Sequence, residues 1–283
     1  MDDEEEGGTL IDVPRLFVDE AFMKYKTSKI KNVMVKAFWD HEYAQTGDRE
    51  KQEMIPFFSA KFGPFITNTT MRNIIGQTKS AFDLRDIMDN KKILLVNLSK
   101  GRTGELNSKL LGMVFVMKFQ AAAMSRSDIP EEDRKDFALY VDEFQNFATN
   151  TISTVLSEAR KYRLSLIMSH QFIAQLPEGI RDAVFGNVGT IASFRVGAED
   201  AKFLEKEFEP IFNSQDLMNI DNFNFYIKMM IDGQTSKPFN IKTYPPKKGD
   251  YKLANDIKEY YSLTYARSRY IIEEEIMRRR VDI

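Results

Sequence analysis

Four side chains hold the chemistry that can be read from this sequence. Asp142 and Glu143 stand side by side after the apolar run Phe137-Ala138-Leu139-Tyr140-Val141, and Gln171 closes the next apolar run, Leu164-Ser165-Leu166-Ile167-Met168-Ser169-His170. Between them lies Arg160, in Arg160-Lys161-Tyr162-Arg163. Ligands in open α/β sheets bind beyond the carboxyl ends of the strands, so polar groups at two such ends mark a place for a reacting group. An aspartate placed like Asp142 can bind the hydration shell of Mg²⁺, and a glutamate placed like Glu143 can take a proton from, or orient, the water attacking a γ-phosphate. The same carboxylates can instead cap the next helix, at the positive end of its dipole. Gln171 can report a γ-phosphate through its amide or start a helix in solvent. Arg160 can reach a neighbouring subunit's nucleotide or end a helix where cations favour the negative dipole end.

These residues need strands to hold them. Ile93–Leu98 is a short continuous apolar run and predicts a strand buried on both faces of a parallel sheet. A polar loop, Ser99–Gly104, leads to a helix over Glu105–Ser125 that is apolar nearly all round and so predicted to be buried. Residues 127–135 are charged, contain Pro130 and read as a surface loop. The strand before Asp142 comes next, then a helix over about 151–162, the strand at 164–169, a short helix around 180–185, a strand over 188–196 and an amphipathic helix over 198–208. Alternating strands and helices are the signature of a right-handed parallel α/β sheet. Phe223–Ile231 and Pro238–Tyr244, joined through Asp232-Gly233, predict an edge hairpin.

The flanks differ in texture. Residues 1–9 predict a disordered acidic lead, with nothing apolar to bury. Residues 10–90 predict a helical subdomain: two or three helices to about Ala60, a break at Gly63-Pro64 and a short helix over Asn68–Gly76. Trp39, Tyr43, Phe57, Phe58, Phe62 and Phe65 are its expected small core. Residues 91–248 are the α/β domain, and 249–283 a closing mixed-charge helix.

Composition narrows the functional classes. The 283 residues are 43% hydrophobic and 29% charged, with net charge −2, two histidines and no cysteine. Disulfides and thiolate metal sites are excluded, and bulk charge gives no argument for nucleic-acid binding. No apolar stretch reaches the roughly 18 residues of a membrane span. A P-loop is missing too, because none of the fourteen glycines is followed by lysine.

With those residues in view, the pattern resembles the RecA-like motor of type IV secretion and conjugation coupling proteins, in the HerA/FtsK group of hexameric DNA-pumping ATPases. The matching stretches are Asn73–Gln77, Ile93–Gly101, Ala138–Phe147 and Leu156–Gln171. The resemblance implies a partial RecA-like P-loop NTPase sheet, mainly parallel with helices on both faces, and ATP and Mg²⁺ as cofactors. It puts the Walker B acid on Asp142, the catalytic glutamate on Glu143, the motif-three glutamine on Gln171 and the arginine finger on Arg160, or Lys161 one register away. It also implies DNA as partner, a homo-oligomeric ring (a hexamer), and a cytoplasmic position at the inner face of the cell membrane through an N-terminal part. The family's first strands and Walker A motif would precede residue 1. The chain therefore looks like the C-terminal part of such a motor, an ATPase when completed by a P-loop-bearing partner and nearly inactive alone. Two other readings stand beside it. One is a catalytically inactive α/β protein-binding module. The other is a DNA-binding module resting on Lys24-Tyr25-Lys26 with Lys29 and Lys31, and on Arg278-Arg279-Arg280.

Overall fold

The computed structural model describes residues 7–148 and 155–281. Residues 1–6 of the expected acidic lead, and 151–154 of the expected helix, lie outside the described residues. The chain divides into two units. The first is drawn from Met1–Asp83, Gly101–Asn107 and Tyr251–Ile283, the second from Leu84–Lys100 and Ser108–Asp250.

The first unit is helical. Its first stretch includes the helices α1 (Glu20–Ser28), α2 (Asp48–Thr67) and α3 (Thr69–Ile75). The break expected at Gly63-Pro64 does not occur, since α2 runs through both Pro56 and Pro64. Proline keeps a helical φ and forfeits one amide donor, which this helix tolerates. It stops at Asn68, whose extended backbone ends α2 and whose Oδ1 accepts from Met71 N at 3.0 Å to start α3. Phe17 collects Trp39, Tyr43 and Phe58 around its ring, at 6.0, 5.8 and 4.5 Å between centroids. Phe57 stays outside the expected core, 60% exposed. The single closing helix expected over 252–280 is two, Tyr251–Tyr265 and Arg269–Val281, and only the second buries side chains, Ile272 and Ile276 against Ile11. The basic clusters have local partners: Lys24 pairs with Glu20, Lys29 donates to Tyr25 Oη, and Arg279 donates to the Gly76 carbonyl.

The second unit holds the strands. β1 (Phe137–Val141) and β2 (Leu164–Met168) form a parallel pair in the register Phe137↔Leu164 to Val141↔Met168. β3 (Ile191–Ser193), shorter than the expected 188–196, pairs antiparallel with β4 (Asn224–Lys228). A small ladder, β5 (Met230–Ile231) with β6 (Gln234–Thr235), turns at Asp232-Gly233, and β7 (Phe239–Lys242) returns along β4. Both turn residues have positive φ, 49° and 78°, as a tight hairpin requires. Among the described residues no strand ladder links the β1–β2 pair to the β3–β4–β7 sheet.

One face of the β1–β2 pair is covered. Val141 and Met168 pack with Val116 of α4 (Glu105–Ser125) and with Ile180 and Val184 of α5 (Glu178–Asn187), and the Phe119 ring stacks on Phe137 at 5.6 Å. α4 is not buried all round, because Met117 and Met124 are exposed. A second cluster gathers Leu204 and Phe208 of α6 (Ala198–Phe208) with Ile191, Leu217 and Ile220.

The strand expected at Ile93–Leu98 is absent. That segment has no regular secondary structure, with Ile93 88% and Leu95 84% exposed, and no described residue gives it a backbone hydrogen-bond ladder. Ser108 Oγ donates to the Leu98 carbonyl at 2.5 Å. An apolar run specifies a tendency to be buried but not the neighbouring edge that would bury it. Here a cavity of about 1630 Å³ lies along it, lined also by β1 and by Phe115 and Phe119 of α4.

Candidate functional site

The site is built where β1 and β2 end. The parallel ladder continues past both strands: Ser169 N donates to the Val141 carbonyl, and Phe144 N to the Ser169 carbonyl, each at 3.0 Å. This fixes the two strand ends against each other. Phe144 is fully buried beneath them, in the cluster with Val116, Leu176 and Ile180. Its ring meets His170 edge-on at 5.5 Å.

Asp142 is exposed at the tip, where its Oδ1 accepts from Ser169 Oγ and from Glu143 N. Glu143 takes a left-handed backbone, φ 51° and ψ 44°, which a side chain with a Cβ adopts only when its surroundings enforce it. The enforcing bonds are visible. The Glu143 carbonyl accepts from Asn146 N and from Asn146 Nδ2 at 3.0 Å, closing the turn Phe144–Asn146. The carboxylate is gripped on both oxygens: Gln145 Nε2 donates to Oε2 and Gln171 Nε2 to Oε1, each at 2.6 Å. Asp142, Glu143 and Gln171 thus form one connected cluster.

Behind the turn, Phe147 lies on α4 at Gly112. A Cβ there would come within 2.2 Å of the Phe147 ring, so glycine is what lets the turn approach the helix. His170 is half-buried, and burial lowers its basicity below the ordinary imidazole value, while Asp200 and Glu143 pull the other way. Asp200 is itself buried and accepts from Ile173 N at 3.2 Å, fixing the chain just after Gln171.

Arg160 is not in this cluster. It is exposed on the short helical turn Ala159–Tyr162, before the amino end of β2, whereas Gln171 follows the carboxyl end. Five strand residues separate the two ends, about 17 Å at the usual rise per residue. Among the described residues no hydrogen bond or ion pair joins Arg160 or Lys161 to Asp142, Glu143 or Gln171.

Three contributors had no role in the sequence reading. Ser169 and Gln145 lie within the runs that pointed to the site, but a hydroxyl and an amide at those offsets are ordinary turn residues. Arg126 anchors the other end of the strands. It is completely buried, donates from Nη1 to the carbonyls of Lys135 and Tyr162 at 3.0 Å, and sets Nε 2.8 Å from Asp89 Oδ1, an ion pair outside hydrogen-bond angles. Nothing in local sequence distinguishes it from a surface arginine.

Residues 19–206 match the family described as type IV secretory system conjugative DNA transfer. Among solved structures the chain is similar to a bacterial conjugative coupling protein, TrwBdeltaN70 in its unbound monoclinic form, at 14% identity and a TM-score of 0.54, covering 72% of this chain and 53% of that one. This likeness is one of fold, a RecA-like α/β arrangement, and the chain spans about half the length of that relative. No curated protein matches it. No described helix is long and apolar enough to cross a membrane.

Proposed function

The chain belongs to the type IV secretory system conjugative DNA transfer family, and from that membership we propose that it is the C-terminal part of an ATP-driven DNA-translocating motor. The observation that carries this reading is the Asp142–Ser169 and Glu143–Gln171 pairing across the carboxyl ends of two parallel strands. That is where an open α/β sheet binds its ligand.

In this reading Asp142, with Ser169 beside it, holds hydrated Mg²⁺. The donors fit: a carboxylate and a hydroxyl suit a hard cation that keeps most of its waters. Among the described residues no group of three or more His, Cys, Asp or Glu could cage a metal. When bound, Mg²⁺ supplies charge neutralisation on the transferring phosphoryl group. Glu143 accepts the proton of the attacking water or orients it, and Gln171 fixes the carboxylate and reads the γ-phosphate end. The cradle for the remaining phosphates comes from a P-loop-bearing segment outside residues 1–283, because no glycine here is followed by lysine. Arg160, on the far end of β2, serves a neighbouring subunit in a homo-oligomeric, hexameric ring around DNA. Residues 10–90 act as the motor's helical subdomain, and the assembly works at the cytoplasmic face of the cell membrane.

One observation favours a second reading, a catalytically inactive protein-binding module. Both Glu143 oxygens already accept amides of the chain itself. Phosphate release by the chain combined with a P-loop-bearing segment separates the two. Under the motor reading Glu143→Gln lowers the rate by roughly 10²–10⁴-fold, the usual weight of a positioned acid–base group. Undiminished hydrolysis in that variant would remove Glu143 from the mechanism. The chain alone should turn over little or no ATP, and robust turnover would overturn the division of the site.

A further inference from the structure

Two amide bonds of equal length hold the Glu143 carboxylate, but they stand on unequal footing. Gln171 Nε2 donates to Oε1 and Gln145 Nε2 to Oε2, each at 2.6 Å. Gln171 is exposed, so water can satisfy its amide oxygen. Gln145 is partly buried, and its Oε1 is fully buried with no hydrogen-bond partner among the described residues. One end of this amide is paired while the other is stranded. A hydrogen bond to a charged acceptor and the desolvation cost of an unpaired buried carbonyl are of similar size and opposite sign. They nearly cancel, so the Gln145–Glu143 contact adds little net stability to the turn.

Other groups fix the backbone around it. Asn146 N and Asn146 Nδ2 both donate to the Glu143 carbonyl, Phe144 N donates to the Ser169 carbonyl, and Phe147 rests on Gly112 of α4. None of these contacts uses the Gln145 side chain. It can therefore leave Glu143 by moving between its own rotamers, with the turn and the left-handed Glu143 backbone kept. Held at both oxygens, the carboxylate cannot turn, which is the feature that favours the inactive reading. Held at Oε1 alone, it can turn about the Gln171 bond.

We propose that Gln145 is a latch on Glu143, a positioning residue that withholds the carboxylate until its amide is released. With the latch engaged, Glu143 rests against its own turn. With the latch open, Gln171 is its remaining side-chain anchor and Oε2 is free to accept from a water. The proposal rests on the motor reading for the identity of that water. It gives the two amides different roles: Gln171 aims the carboxylate in both states, and Gln145 restrains it in one. Opening requires no movement of β1 or β2. The freed amide is a donor suited to phosphate oxygen, so a nucleoside triphosphate is the ligand class that favours the open state.

Two variants test this. Gln145→Met keeps the length but removes both the donor and the stranded acceptor, and Gln145→Asn keeps an amide with a shorter reach. In the full chain alone, the thermal midpoint of Gln145→Met should stay within about 2 °C of the parent. A larger fall marks a structural clamp and overturns the proposal. Nitrogen NMR of the side-chain amides, assigned by the signals lost in Gln145→Met and Gln171→Leu, reads the latch directly. Gln145 should exchange between two environments, latched over open at a ratio between about one and ten, while Gln171 keeps one. A single environment for Gln145 overturns the proposal. In the chain combined with a P-loop-bearing segment, both variants should raise kcat/KM by about two- to tenfold, as the restrained fraction is released. That gain should vanish when Gln171→Leu is added. An unchanged or lower kcat/KM in both variants overturns the latch. Absence of hydrolysis in the parent combination removes the motor reading instead, and the midpoint and NMR of the chain alone still decide whether the contact opens.

Discussion

The side-chain amide of Gln171 donates to Glu143 Oε1 at 2.6 Å, joining two strand ends separated by 28 residues of sequence. The bond is exposed, so its worth to folding is small, and its consequence falls on where the carboxylate points. Gln171→Leu should change stability by no more than about 0.5 kcal/mol. Under the function proposed above, it should lower ATP hydrolysis by the chain combined with a P-loop-bearing segment by about 10²-fold or more, the usual effect of losing one positioned polar group at a reacting centre. Thermal melts of the chain and phosphate-release rates of the chain combined with a P-loop-bearing segment check the two halves separately.

Gly112 is the point where the turn after Glu143 rests on α4. Gly112→Ala sets a Cβ within 2.2 Å of the Phe147 ring and should destabilise the chain by about 1–3 kcal/mol, the range for overpacking. Adding Phe147→Ala should recover part of that loss, so the double variant is less unstable than the two changes summed. Urea denaturation of the four proteins of this cycle measures the coupling.

Arg126 holds the opposite end of the strands. Arg126→Met keeps the volume but strips Asp89 and the carbonyls of Lys135 and Tyr162 of their cation. A cost of about 3 kcal/mol is expected for breaking a buried pair, discounted because Asp89 is partly exposed. Asp89→Asn, which keeps a polar partner, should cost less. Calorimetric midpoints of the two variants rank them.

His170 gives the pH dependence a sign. Burial lowers its pKa below the ordinary 6.5, so below that value the unfolded chain takes up the proton before the folded chain does. Its contribution is complete above about pH 6.5 and is lost as pH falls through the folded pKa. Melting temperatures taken from pH 7.5 down to 5 should fall more steeply for the parent than for His170→Gln. Equal slopes would show that this imidazole does not titrate differently on folding.

What the sequence made legible follows from the range of the forces involved. The two strands before Asp142 and Gln171, α4 and α6 all came from periodicity, because local patterning decides them. The meeting of Glu143 with Gln171 was legible as a pattern of strand ends, whereas the left-handed backbone of Glu143 and the Gln145 clamp were not. Ile93–Leu98 reads as a buried strand and forms no strand among the described residues, since pairing depends on an edge elsewhere in space. Arg126 shows the same limit from the polar side. Its burial is set by carbonyls 9 and 36 residues away.

The exposed face of Tyr140 and Ile167, flanked among the described residues by two strand edges without a ladder, also bears on the lifetime of the chain in a cell. Open edges beside apolar surface template the pairing of one chain with another and are the features through which incompletely assembled proteins aggregate. A copy with these edges uncovered is the form that chaperones hold and proteases clear, while a covered copy persists. The abundance of this polypeptide would then follow that of whatever covers its strands, and unequal synthesis of the two would be corrected by turnover.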